Sequence, residues 1–184
     1  NITDVLDYRY YTTEKKLKLG IMRGKEKFEI CITKKDEYDE LGLEFETYLM
    51  DKQHSCRNGC IFCFIDQNPK GMRDSIYFKD DDSRMSFFFG NYVTLTNLDK
   101  AEVERIIKMR ISPVNISVHT TDPQLRVEMM KNKNAGKSLE YIKMFYDGEI
   151  EMNCQIVLCK GINDGKQLEK SLKDLSGYYP YVQS

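Results

Sequence analysis

No apolar run among the 184 residues comes near the length of a membrane span. A secretory signal is also missing, because Asn1 to Tyr10 is polar and acidic throughout. Strong charge of either sign is absent too: the formal net charge is −1, which gives no electrostatic case for nucleic acid or an anionic membrane as partner. Tryptophan does not occur and proline occurs only 4 times, absences that exclude no chemistry. What is present, 41% hydrophobic and 31% charged residues, is the composition of a soluble globular chain. Its length suits one domain, or one domain plus part of another. Six cysteines without a signal, several of them tightly clustered, point to reduced thiols and a cytoplasmic location rather than to disulfides.

Three of those cysteines stand in one loop, Cys56-Arg-Asn-Gly-Cys60-Ile-Phe-Cys63. The C-x3-C-x2-C spacing lets all of them address one centre, either an iron–sulfur cluster or a zinc ion. Zinc would need a fourth ligand, with His54 or a distant cysteine as candidates. The cluster is favoured by the apolar Ile61, Phe62, Phe64 and Ile65 around the loop, which would shield it from water, and by the awkward closeness of His54 to Cys56. Three ligands on a four-iron cubane leave one iron free, which points toward catalysis.

The chain divides by pattern near residue 45. In residues 1–45, Asp4 caps a helix reaching about Thr12, and two alternating runs, from Leu17 and from Phe28, read as a hairpin about Arg23-Gly24-Lys25. From residue 46 on, strands are expected at Thr47–Met50, at the apolar Met85–Gly90 run, at Val114–His119 and at Met152–Cys159. Helices are expected after the Asp99–Glu102 capping box, after Asp122-Pro123, over Lys137–Tyr146 and over Gly165–Leu175. The tail after Tyr178 reads as the start of another strand. Alternating strands and helices predict a parallel α/β sheet or barrel. Both ends have the character of a fragment.

The cysteine loop, with aromatic Phe62 before its last cysteine, resembles that of the radical S-adenosylmethionine (SAM) superfamily. Longer strings resemble, more narrowly, bacterial iron–sulfur oxidoreductases with an N-terminal PDZ-like domain: Cys63-Phe-Ile-Asp-Gln-Asn-Pro-Lys-Gly-Met-Arg73, Tyr77-Phe-Lys-Asp-Asp-Asp82, Gly90-Asn-Tyr-Val-Thr-Leu-Thr-Asn97, His119-Thr-Thr-Asp-Pro123 and Gln155-Ile-Val-Leu-Cys-Lys-Gly-Ile-Asn-Asp164. The resemblance implies a partial, truncated (β/α) barrel of the radical SAM type over 46–184. An incomplete PDZ-like α+β segment, the C-terminal part of that domain, would precede it over 1–45.

The same resemblance implies a [4Fe–4S] cluster on Cys56, Cys60 and Cys63, with SAM chelating the open iron. An electron from the cluster would cleave the sulfonium bond to methionine and a 5′-deoxyadenosyl radical, which takes hydrogen from a substrate that the sequence does not identify. The electron would come from a reductant such as a ferredoxin or flavodoxin. Phe62 would lie near the adenine. The superfamily's Gly-Gly-Glu stretch binds the SAM amino group; here Gly90-Asn91 stands in that place without the Glu, leaving the Gly90 backbone for the role, or an ordinary turn. Ser117, His119 and Gln155 match strand positions that contact SAM in related cores, each with a satisfied buried polar group as its other explanation. No catalytic residue is assigned. Two other functions remain open: a structural zinc scaffold, and an electron-transfer iron–sulfur protein with a fourth cysteine ligand.

Asp80-Asp81-Asp82 reads as a solvated loop. Asp66, Gln67, Lys70 and Arg73 are candidates for orienting substrate or the SAM carboxylate. Cys31, Cys154 and Cys159 read as inert thiols, with Cys154 and Cys159 on opposite faces of one strand.

Overall fold

A computed structural model describes residues Ile2 to Gln183, which pack as two units, one ending at Lys52 and the other beginning at Gln53. In the first unit, helix α1 (Val5–Tyr11) starts where the Asp4 carboxylate accepts from the Leu6 and Asp7 N–H groups. Such a cap contributes about 1 kcal/mol. Strands β1 (Lys16–Arg23) and β2 (Glu26–Thr33) form the expected antiparallel hairpin, with Arg23 opposite Glu26 and Gly24 at φ +62° in the turn. Cys31 is exposed. The strand expected at Thr47–Met50 is instead a turn, closed by Met50 N–H donating to the Thr47 carbonyl with Met50 at φ +70°.

The second unit is built on a parallel sheet. Strands β3 (Val114–Ser117), β4 (Met152–Gln155) and β5 (Val182–Gln183) lie side by side in chain order. Val93 adds a one-residue parallel bridge to Ile116 on the outer side of β3. Its N–H donates to the Asn115 carbonyl and its carbonyl accepts from the Ser117 N–H, at 2.9 and 2.8 Å. Between these strands run α3 (Lys100–Lys108), α4 (Pro123–Met130), α5 (Glu140–Asp147) and α6 (Lys166–Ser176). The sheet is open: among the described residues no strand closes it into a barrel.

Local signals account for most of these helices. Asp99 accepts from Glu102 N–H at the start of α3, and Asp122 accepts from Leu125 N–H ahead of Pro123 in α4. Val103 and Ile106 of α3, Met129 and Met130 of α4 and Phe145 of α5 are almost fully buried, as are Val93, Ile116 and Met152. Each such side chain contributes about 1.5–3 kcal/mol relative to leaving it in water. At the end of α5 a side chain on Gly148 would sit 2.6 Å from Ile107 Cγ2, so only glycine lets α5 meet α3 there.

One element departs from expectation in kind. Residues Met85–Gly90 are not a buried strand but most of helix α2 (Ser83–Phe89), with Phe87 and Phe89 exposed. The caps decide the outcome: Asp82 accepts from Arg84 N–H, and Gly90 at φ +74° ends the helix in the left-handed conformation glycine adopts without strain. Two strands end early. β3 stops at Ser117, leaving His119 beyond it at φ +65°, and β4 stops at Gln155, so Cys159 lies in the following loop and strand alternation does not orient it.

Candidate functional site

Two backbone ties position the cysteine loop. On one side Ser55 bridges Asp80, and Cys56 N–H donates to the Lys79 carbonyl at 2.7 Å. On the other, Gly59 and Ile61 N–H groups donate to the carbonyls of Met130 and Met129 at the end of α4. The loop therefore rests on secondary structure at both flanks, and the extended residues after Phe78 do the work expected of Thr47–Met50.

This support places Cys56, Cys60 and Cys63 around one cavity of about 660 Å³. Phe62, Gly90, Asn91, Ser117, His119 and Gln155 line the same cavity. Ser117 and Gln155 are register partners at the last residues of β3 and β4, so the cavity opens at the carboxyl ends of the parallel strands, where α/β folds gather their ligands. Gln155 is exposed rather than mid-strand and enclosed. Gly90 follows a helix rather than a strand, and a Cβ there would meet only Asn115 Nδ2, at 3.9 Å. The apolar wall is thinner than expected, because Ile61 and Phe64 are largely exposed while Phe62 and Ile65 are half-buried.

Burial and neighbouring thiols govern the acidity here. The Cys60 thiol is pushed up to about 12, first by burial and then by Cys56 and Cys63 beside it. Burial also raises Cys56, an effect that the Asn58 hydrogen bond partly offsets. Cys56 and Cys60 are therefore neutral until a metal centre binds, because a bound cation deprotonates its thiol ligands. His119 packs edge-on to Phe62 at 4.5 Å between ring centroids, and its Nδ1 accepts from Val157 N–H at 3.3 Å. Burial, aided by Arg126, lowers its pKa to about 3, so it is a neutral imidazole across the ordinary pH range.

Several residues important to the site escaped the sequence reading. Arg126, fully buried, donates Nε–H to the Val118 carbonyl, Nη1 to the Ala135 carbonyl and Ser138 Oγ, and Nη2 to the carbonyls of Thr94 and Ser117. Its sequence signal is a cation three and four residues from the buried Met129 and Met130, on the same helical face. Asn58, also buried, donates to Cys56 Sγ at 3.3 Å and to Thr94 Oγ1 at 3.0 Å. Lys79 lines the cavity and pairs with Asp66 at 2.6 Å.

The three consecutive aspartates are not a solvated loop. Asp81 accepts from Thr94 N–H and Oγ1–H, Asp82 pairs with Arg84 and caps α2, and both are buried; Asp80 holds Gln53 and Asn91. Burial raises the Asp81 pKa to about 6. The four candidates for orienting substrate or the SAM carboxylate, Asp66, Gln67, Lys70 and Arg73, all lie outside the lining of the cavity, Asp66 reaching it only through its pair with Lys79. So do Cys31, Cys154 and Cys159.

The three-cysteine loop thus stands at the carboxyl ends of a parallel α/β sheet, beside a cavity in the size range of small-molecule sites. The family model for the radical SAM-like domain matches residues 35–184, and the chain belongs to that family. No curated protein matches the chain. No helix among the described residues is long and apolar enough to cross a membrane.

Proposed function

We propose that this protein is a radical SAM enzyme, one that cleaves SAM reductively at a [4Fe–4S] cluster held by Cys56, Cys60 and Cys63. The observation that carries the proposal is the shared cavity: three thiols at one end and Phe62, Gly90, Asn91, Ser117, His119 and Gln155 over the rest. Among the described residues no group of three His, Cys, Asp or Glu side chains is placed to hold a metal ion, the three thiols included, so the choice of a cluster over zinc rests on the cysteine spacing and on the family. His54, the nearest candidate for closing a zinc site, lines a different cavity, and no fourth cysteine lines this one.

When bound, the cluster and SAM would supply an electron and a 5′-deoxyadenosyl radical for hydrogen abstraction from an unidentified substrate. The chain's own residues hold and shield. Asn58 donates a hydrogen bond to the Cys56 sulfur, which favours its thiolate. Phe62, braced by His119, offers an aromatic face for a base. Gly90 leaves its backbone open to close approach, and Ser117 and Asn91 supply polar atoms at the strand ends. A one-electron donor such as a ferredoxin or flavodoxin, a cytoplasmic location, a partial, truncated (β/α) barrel over 46–184 and a PDZ-like origin for residues 1–45 complete the proposal. The consecutive parallel order of the sheet supports the barrel part.

Anaerobic reconstitution with iron and sulfide tests it. The expected product is a brown protein that loses its cluster in Cys56→Ser, Cys60→Ser and Cys63→Ser but keeps it in Cys154→Ser and Cys159→Ser. A colourless protein that takes up one zinc, or a cluster that depends on Cys154 or Cys159, would overturn the proposal.

A further inference from the structure

A second cavity, of about 700 Å³, lies against the same cysteine loop, and its lining has a different chemistry. Ser55 and Arg57 line it while Cys56 between them lines the first cavity, so consecutive residues of one strand-like segment serve the two spaces. Its charged walls are Arg57, Lys131 and Lys133; no Asp or Glu lines it, and no large apolar side chain does. Among the described residues no ion pair takes up any of these three cations. Two acids touch lining residues, Asp80 at Gln53 and Asp82 at the His54 N–H, and both are engaged further, Asp80 with Asn91 and Asp82 with Arg84. Asn97, Asn132, Asn134 and Thr96 complete a concavity in the size range of small-molecule sites; Asn97 already donates to the Ser55 carbonyl and Asn132 and Thr96 to Asn58, so the three cations are the main donors it offers a ligand.

The floor of this cavity is wired to the first. Asn132 Nδ2 and Thr96 Oγ1 both donate to Asn58 Oδ1, at 2.6 and 3.1 Å, and Asn58 Nδ2 in turn donates to Cys56 Sγ. One buried amide therefore joins the cationic cavity to a thiol of the cysteine site. Such a fixed, fully satisfied contact transmits a change in position or polarisation from one end to the other.

The geometry points to this cavity as a binding site for a small phosphorylated molecule, whose occupancy reaches Cys56 through Asn58. Three unpaired cations in one concavity match a multiply charged anion: the Arg57 fork can take two phosphate oxygens and the lysines act as point charges. The concavity is half open and of small-molecule size, which suits a compact anion that its three exposed cations can surround. The site needs no cluster, so its test is independent of the radical SAM proposal.

Pyrophosphate is the probe, added to the purified chain without iron and followed by calorimetry and by the side-chain amide NMR signals of Asn58. We expect saturable one-site binding that weakens with added salt and a shift of the Asn58 signals. Lys131→Met/Lys133→Met, which keeps the aliphatic stems, should weaken binding about tenfold or more, whereas Lys108→Met on α3 should not. Charge reversal in Lys131→Glu/Lys133→Glu should abolish it, with an unchanged circular dichroism spectrum showing that the fold persists. No saturable binding, binding indifferent to both double variants, or selective binding of a polyglutamate peptide instead of pyrophosphate would overturn the assignment. Binding that leaves the Asn58 signals unmoved would overturn the link to Cys56.

Discussion

The two cavities that share the cysteine loop differ in how they are held. The cysteine cavity sits at the ends of β3 and β4 over a buried guanidinium, with an imidazole and an aromatic ring pressed together in its wall. The other is lined by exposed cations on loops, Arg57 before the cysteines and Lys131 and Lys133 after α4. In the first, burial works against charge at two groups, as the raised Cys60 and lowered His119 pKa values record. The second is wet and collects charge. A fold can thus place a site for neutral ligating groups and a site for an anion within one loop, provided one rests on strands and the other on solvated turns.

The largest effect should come from removing the cation beneath the first cavity. Arg126→Met removes the guanidinium donor from the carbonyls of Thr94 and Ser117 and one of two donors from those of Val118 and Ala135, which keep Thr120 N–H and Ser138 Oγ–H. It should destabilise the second unit by about 3–5 kcal/mol in chemical denaturation. Arg126→Lys should recover little of that, because one ammonium cannot reach donors' partners spread around a planar fork.

Next comes pH. His119 has a folded pKa of about 3 against 6.5 for the free side chain, so the folded state resists its protonation. The stability it contributes is complete above pH 6.5 and is lost as pH falls toward 3, by an amount on the order of a few kcal/mol. Asp81 works in the opposite sense: its pKa is raised from 3.8 to about 6, so its contribution is present below 3.8 and lost as pH rises through 6. Denaturation followed against pH should show His119→Gln flattening the acid decline and Asp81→Asn steepening it. The smallest effect should be Gly90→Ala. No atom blocks the added methyl, but φ +74° costs about 1 kcal/mol, read as a small fall in melting temperature.

The parts of this molecule legible in sequence are those set by neighbours along the chain. Asp4, Asp99 and Asp122 mark their helices, Gly24 marks its turn, and the cysteine spacing marks one loop. Met85–Phe89 misleads because three phenylalanines suggest a buried strand, while the Asp82 cap and the Gly90 terminator specify a short helix. Thr47–Met50 misleads because the loop is anchored by residues 79–81, distant in sequence. Arg126 and Asn58 stay hidden for the same reason: their partners come from three separate segments, near residues 94, 117 and 132–135, and only the folded chain gathers them. The aspartates at 80–82 carry no mark of burial, since the groups that satisfy Asp81 belong to Thr94.

The central claim is that the three thiols leave a coordination position facing Phe62, Ser117 and Gln155 for SAM. Electron paramagnetic resonance of the reconstituted, dithionite-reduced protein tests this most directly, recorded with and without SAM. The account predicts a [4Fe–4S]⁺ signal whose g values shift on adding SAM, with 5′-deoxyadenosine forming afterwards. A cluster signal indifferent to saturating SAM would contradict it.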